Sequence, residues 1–258
     1  MFTGLSKVVE ATAFVALLSL GLVDRKGLAE SWVLPVVGGF LVIANYVLLT
    51  LAYRRGDLSF VYPISRGAVL VFLPPLAYVF MGERLDLFGW SALAIIVVGI
   101  ACVQLPGFIA AAPPQGVPYA ASAYAILAAA VAAGYTIWDK RAVQTLAPLG
   151  YFGAYTVLVG FTYAFYLLRA IPAAEVKATW RDHRPAIVQV AVLNSGSYLL
   201  ALIALQTGKA SYVIALRQLS IAAGALLGWM VLGESVPVTR RFGIGLVVAG
   251  AVLLALAR

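Results

Sequence analysis

Arg66 and Arg217 are the residues of this sequence best placed to do chemistry inside an apolar environment. Each lies in a long hydrophobic run, seven residues after Ser59 in one case and six after Ser211 in the other. At 1.5 Å of rise per helical residue, both arginines sit roughly 10 Å along their helices. A cation at such depth in a bilayer costs about 2.5–3.5 kcal/mol on insertion scales, so it belongs on a bundle interior or a wet cavity. There it would attract carboxylates and other anions. Tyr62 precedes Arg66 by four residues and shares its face, with Pro63 between them freeing a backbone carbonyl. The competing account of each is structural: the arginines snorkel or pair with helix-end groups, and Tyr62 packs beside a proline kink.

Other polar residues interrupt the apolar runs. Glu10 is the acid set deepest in such a run, which makes it the candidate proton-coupling residue. Lys7, three residues earlier, is spaced to pair with it; if Met1 opens that helix, both lie near the headgroups instead. Asn45, Tyr46, Asn194 and Tyr198 are spaced to bond a substrate or to bond across helices. Gly82-Glu83 and Gly233-Glu234 stand at run ends and read as structural helix-terminal residues. Asp24, Asp57, Asp86, Asp139 and Asp182 all fall near run ends, so no pair of intramembrane aspartates is expected. Catalysis finds no constellation. His183 is the only histidine and Cys102 the only cysteine, and no phosphate-binding glycine loop or metal-ligand spacing occurs. The expectation is a chain that is not an enzyme and takes neither cofactor nor metal.

The elements that must hold these residues are membrane-spanning. Of 258 residues, 63% are hydrophobic and only 11% charged, against about 25% charged in a soluble domain. Too few charges exist to cover a water-facing surface, so lipid must cover it. Nine apolar runs can be marked, at 4–23, 31–53, 59–81, 87–105, 118–138, 149–168, 185–206, 210–232 and 239–257. Each holds about 20 residues, enough to cross a hydrocarbon core of about 30 Å as a helix. The net charge of +8 comes from clusters between runs, such as Arg54-Arg55 and Arg240-Arg241, which anchor helix ends at headgroups and give no case for nucleic acid. Two connections are longer. Residues 106–117 contain Pro106, Pro113 and Pro114 and read as a helix-breaking joint; residues 169–184, with seven ionisable side chains, read as a polar loop.

The sequence also repeats itself. LAYRRGDLSFV (51–61) lies over IALQTGKASYV (203–213) at a spacing of 152, bringing Gly56 onto Gly208 and Ser59 onto Ser211. Gly82-Glu83 lies over Gly233-Glu234, and Gly99 over Gly250, at 151. One residue is therefore gained or lost in between, which makes Gln218 an alternative counterpart of Arg66 to Arg217. Residues 31–105 should match about 184–257. The division is a first repeat over 1–105, a linker over 106–117 and a second repeat over 118–258, with four runs followed by five. The partner of the 118–138 run is missing at the start, which leads us to expect a reading frame that begins upstream and encodes a tenth span. A five-helix unit inverts its successor across the membrane.

AYRRGDLSFVYPISRG (52–67), MGERLDLFGWSALAIIVVGI (81–100), TGKASYVIALRQLS (207–220), LGESVPVTRRFGIGLVVAGAVLL (232–254) and AAGYTIWDKRA (132–142) carry a resemblance. They resemble EamA-type members of the drug/metabolite transporter superfamily, although Asp139 stands where asparagine is more usual. The resemblance implies an all-α polytopic membrane protein built from two inverted repeats, with a central cavity and alternating access. It implies a secondary transporter, exporting a small organic metabolite, whose partners are that solute and the lipid bilayer. The competing class is a non-transporting membrane subunit that assembles with a partner or handles lipid; a homodimer or partner subunit would fill the place of the absent helix. Short loops and a compact length point to a bacterial inner (plasma) membrane.

Overall fold

A computed structural model describes residues 1–23, 25–110, 119–232 and 237–256. The helices are α1 (Phe2–Ser19), α2 (Arg25–Glu30), α3 (Val33–Tyr53), α4 (Leu58–Met81), α5 (Leu87–Ala110) and α6 (Tyr119–Val143), followed by α7 (Pro148–Ala170), α8 (Ala173–Thr207), α9 (Ala210–Arg217), α10 (Leu219–Leu232) and α11 (Val238–Leu256). Among the described residues every regular element is a helix. Eight of them are long and apolar enough to cross a membrane. This is an all-α polytopic membrane protein.

Three expectations are corrected. The run at 210–232 is two helices, because the chain turns at Gln218, whose N–H bonds the Ala215 carbonyl instead of continuing the helical ladder. The break falls in the stretch where the repeat spacing changes by one residue. The polar stretch at 169–184 is mostly helix, as the opening of the 35-residue α8. Its sequence AAEVKATWRDHR is rich in helix formers and has Glu175 in the first turn. Polarity excludes it from lipid but not from a helix. At 1.5 Å per residue α8 is about 50 Å long, well beyond the hydrocarbon core. The joint at 106–117 begins later than expected, because α5 continues through Pro106 to Ala110; residues 111–118 lie outside the described residues.

The chain divides into two compact units: 1–43 with 138–207, and 44–137 with 208–258. Each draws on both halves of the sequence. In the first unit α1 packs along α7. Gly4 lies against Tyr163, and Gly153 lies against the Phe14 ring. Adding 149 to a residue number turns Gly4 into Gly153 and Phe14 into Tyr163, so each contact becomes the other with its partners exchanged. Gly160 lies on Ala11, its own counterpart at that spacing. The helices run antiparallel, since residues early in one meet residues late in the other.

The second unit repeats the device. α5 packs along α11, with Gly99 against Val247 and the Gly243 carbonyl, and Gly250 against Ile96 and the Ala92 carbonyl. At the spacing of 151, Gly99 becomes Gly250, Ile96 becomes Val247 and Ala92 becomes Gly243. Both contacts therefore exchange into each other. This is the self-complementary pattern of a two-fold interface, made by small residues that let helix backbones approach closely.

Candidate functional site

In the second unit, the first half of α4 holds the Arg66 cluster. The Arg66 guanidinium stands over the Tyr62 ring, 5.4 Å from its centroid. That follows from their four-residue spacing on one helix face. Arg66 itself is exposed and Tyr62 half-buried. Tyr53, the last residue of α3, lies in the field of this guanidinium and meets the Ser65 hydroxyl, which in turn donates to the Tyr62 carbonyl at 3.0 Å. Two phenols, a buried hydroxyl and a cation thus lie close together. Arg217 is half-buried at the end of α9 and Gln218 is buried at the turn that follows.

The remaining second-unit candidates bond to the helices around them. The Asn45 amide donates to the Ala128 carbonyl of α6 at 2.8 Å, and Tyr46 is half-buried beside it on α3. Gly82 ends α4 in the left-handed region at φ 65°, which suits a residue without Cβ. Glu83 then turns inward and accepts hydrogen bonds from the Ala210 amide at 2.6 Å and the Ser211 hydroxyl at 3.2 Å. A carboxylate at the first N–H groups of α9 meets the positive end of that helix. Next to it the Tyr212 hydroxyl donates to Asp86, and the Lys209 ammonium donates to the Arg84 carbonyl. Gly233 and Glu234 lie outside the described residues.

The first unit encloses two acids, Glu10 and Asp139. Glu10 is paired with Lys7 through both carboxylate oxygens, at 3.0 and 2.9 Å, and both residues are buried. α1 turns the face that carries this pair onto α7 and α8. The Asn194 amide of α8 adds a third donor to Glu10 at 3.1 Å. One turn further along α8, the Tyr198 hydroxyl donates to Asp139 Oδ2 at 2.5 Å, while the Tyr151 hydroxyl donates to Oδ1 at 2.6 Å. Tyr198 stacks on Phe152, and Tyr155 meets Tyr151, Phe152 and Tyr198 edge-on. Asp139 is 2% exposed. It lies four residues from the end of α6, as its place near the end of an apolar run implies, and α7 and α8 reach it there. The signal available in the sequence was the departure itself, an acid where the resembling family has asparagine. Among the described residues no group of acids, histidines and cysteines could hold a metal ion.

Comparison with known proteins adds two findings. The model of the EamA-like transporter family matches residues 120–256, just over half of the chain. A solved crystal structure of a protein is similar over 99% of this chain and 86% of its own, with a TM-score of 0.79 at 15% identity, a likeness that shows the fold alone. No curated protein matches the sequence.

Proposed function

The chain belongs to the EamA-like transporter family, and from that premise we propose that it is a secondary carrier exporting a small organic metabolite with a carboxylate or other anionic group. The observation that carries this reading is Arg66: an exposed guanidinium well inside a span, backed by a tyrosine ring. Hydrocarbon would make such exposure costly, so the surface around it is wet. Tyr62 and Tyr53 add hydroxyls and apolar faces for the organic part of the solute. Arg217 and Gln218, near the equivalent position of the second repeat, complete the candidate binding set. The working cycle is alternating access by two inverted repeats, 1–105 and 118–258 joined by 106–117. The exchange-related contacts of α5 with α11 and of α1 with α7 support that division, because inversion makes equivalent helices antiparallel.

The test is flux in proteoliposomes that contain this chain alone. A panel of labelled mono- and dicarboxylates should move, and a matched panel of amines should not. Arg66→Ala should abolish carboxylate flux with membrane abundance unchanged. No flux of any panel member would favour the partner-subunit reading, and lost abundance in Arg66→Ala would make the arginine structural.

A further inference from the structure

The polar opening of α8, 173–184, sorts its side chains by face. One face is docked on protein. Val176 packs on the cluster of Leu5, Leu167 and Ile187, the Thr179 hydroxyl lies 3.6 Å from the Met1 sulfur, and His183 meets the Phe2 ring edge-on. This extension is therefore held in place and is not a loose tail. Lys177, Trp180, Arg181 and Arg184 stand at the i, i+3, i+4 and i+7 spacing of another face, and all four are exposed. The two acids of the segment, Glu175 and Asp182, fall on the far side of the helix at about 100° per residue. Arg181 does reach its neighbour Asp182 at 3.0 Å, but that pair is exposed and its attraction is screened. Below Arg184, at the same four-residue spacing, come Val188, 38% exposed, and Val192, 64% exposed. One column of α8 is thus cationic before Pro185 and bare hydrocarbon after it.

We propose that this column is a binding site for an anionic phospholipid, whose headgroup phosphate lies on Arg184, Arg181 and Lys177 and whose acyl chain runs along Val188 and Val192. Depth supports the assignment. The apolar run of α8 begins at Pro185. Arg184 therefore lies just outside the hydrocarbon, Arg181 about 6 Å out and Lys177 about 12 Å out. The headgroup layer on each side is roughly 5–7 Å thick, so both arginines sit at phosphate depth, and the flexible stem of Lys177 can bend back to it. Trp180 stands at the level where indoles settle in a bilayer. Charge selects the headgroup. A zwitterionic lipid brings its own cation against three others on a face that carries no acid, whereas an anionic one is attracted by all three. The positive end of the α8 dipole lies at the same end of the helix. Continuity with exposed valines selects a lipid over a soluble phosphate. The site is separate from the Arg66 cluster and holds whether or not the chain carries a solute.

Native mass spectrometry of the full chain, released from detergent with equal amounts of dioleoyl phosphatidylglycerol and dioleoyl phosphatidylcholine, tests it. The chain should retain phosphatidylglycerol in preference. Lys177→Gln, Arg181→Gln and Arg184→Gln should each weaken that retention about fivefold and leave phosphatidylcholine retention unchanged. Arg54→Gln with Arg55→Gln, at another basic helix end, should change neither. Asp182→Asn frees Arg181 from its neighbour and should strengthen phosphatidylglycerol retention about twofold. Glycerol phosphate added at the lipid concentration should displace nothing, because it lacks the acyl chain. Equal retention of the two lipids overturns the proposal. So does an equal loss from the Arg54 and Arg55 substitutions, which would make the attraction one of net charge alone. Displacement by glycerol phosphate would make the column a site for soluble anions and overturn the lipid assignment. If the glutamine variants do not fold, Asp182→Asn decides, and retention that fails to rise overturns the proposal.

Discussion

The crossing of α5 with α11 and the crossing of α1 with α7 are built by the same device and charged differently. In both, glycines let two antiparallel, sequence-equivalent helices meet, and the contacts exchange under the repeat spacing. At the α5–α11 crossing the contacting residues are all apolar: Gly99, Gly243, Val247, Gly250, Ile96 and Ala92. At the α1–α7 crossing, α1 brings the buried Lys7–Glu10 pair, while the equivalent positions of α7 are Thr156 and Val159. Packing has kept its symmetry because a methyl group too many on either side separates the helices. Charge has lost it, because one ion pair per crossing satisfies itself and needs no copy. Of the charged groups described above, the Glu83 carboxylate of the second unit lies at a helix end and Arg66 on exposed surface, whereas Lys7, Glu10 and Asp139 of the first are enclosed.

The largest effect is expected from breaking the asymmetric feature. Lys7→Met should destabilise the protein by about 3–5 kcal/mol, since it leaves Glu10 buried without its cation. Lys7→Met with Glu10→Leu should recover most of that loss. Unfolding midpoints in a mixed-micelle titration would show it, and a double variant as damaged as the single one would mean the pair does more than balance charge. The symmetric feature comes next. Gly243→Ala drives a Cβ into the Val103 amide and the Gly99 carbonyl, backbone atoms that cannot yield. It should cost about 1–3 kcal/mol. Gly245→Ala, two residues away with open space around it, should be neutral or stabilise by up to about 1 kcal/mol through helix propensity. Equal effects at the two glycines would remove the crossing from the account. The smallest effect is at Gly4. Its Cβ would meet only side-chain carbons of Tyr163 and Leu167, the nearest at 3.1 Å. Those can shift, so propensity offsets the crowding and Gly4→Ala should stay within about 0.5 kcal/mol of the parent.

Much of the architecture was legible in the chain. The eight helices long and apolar enough to span lie where apolar runs lie, because a span is a sum over about 20 neighbouring residues and needs no partner to be read. The repeat was legible because glycines, a serine and Gly-Glu pairs are seldom supplied in order by chance. The break at Gln218 left only a trace, one residue of changed spacing. The helical start of α8 was misread because hydropathy reports the solvent around a segment, not its backbone conformation. The Arg66–Tyr62 stack was legible, since both residues lie one turn apart on one helix.

What the sequence alone determined is therefore local: which segments are apolar, how long they are, which residues share a face and which segments repeat. The tertiary structure decided which of those faces meet. Nothing near Asp139 in the chain announces Tyr198, fifty-nine residues on, and nothing near Glu10 announces Asn194. Hydropathy adds up along a helix. The enclosure of one carboxylate depends instead on which distant helices arrive beside it and on where a glycine such as Gly38 leaves room for them, and only packing settles that.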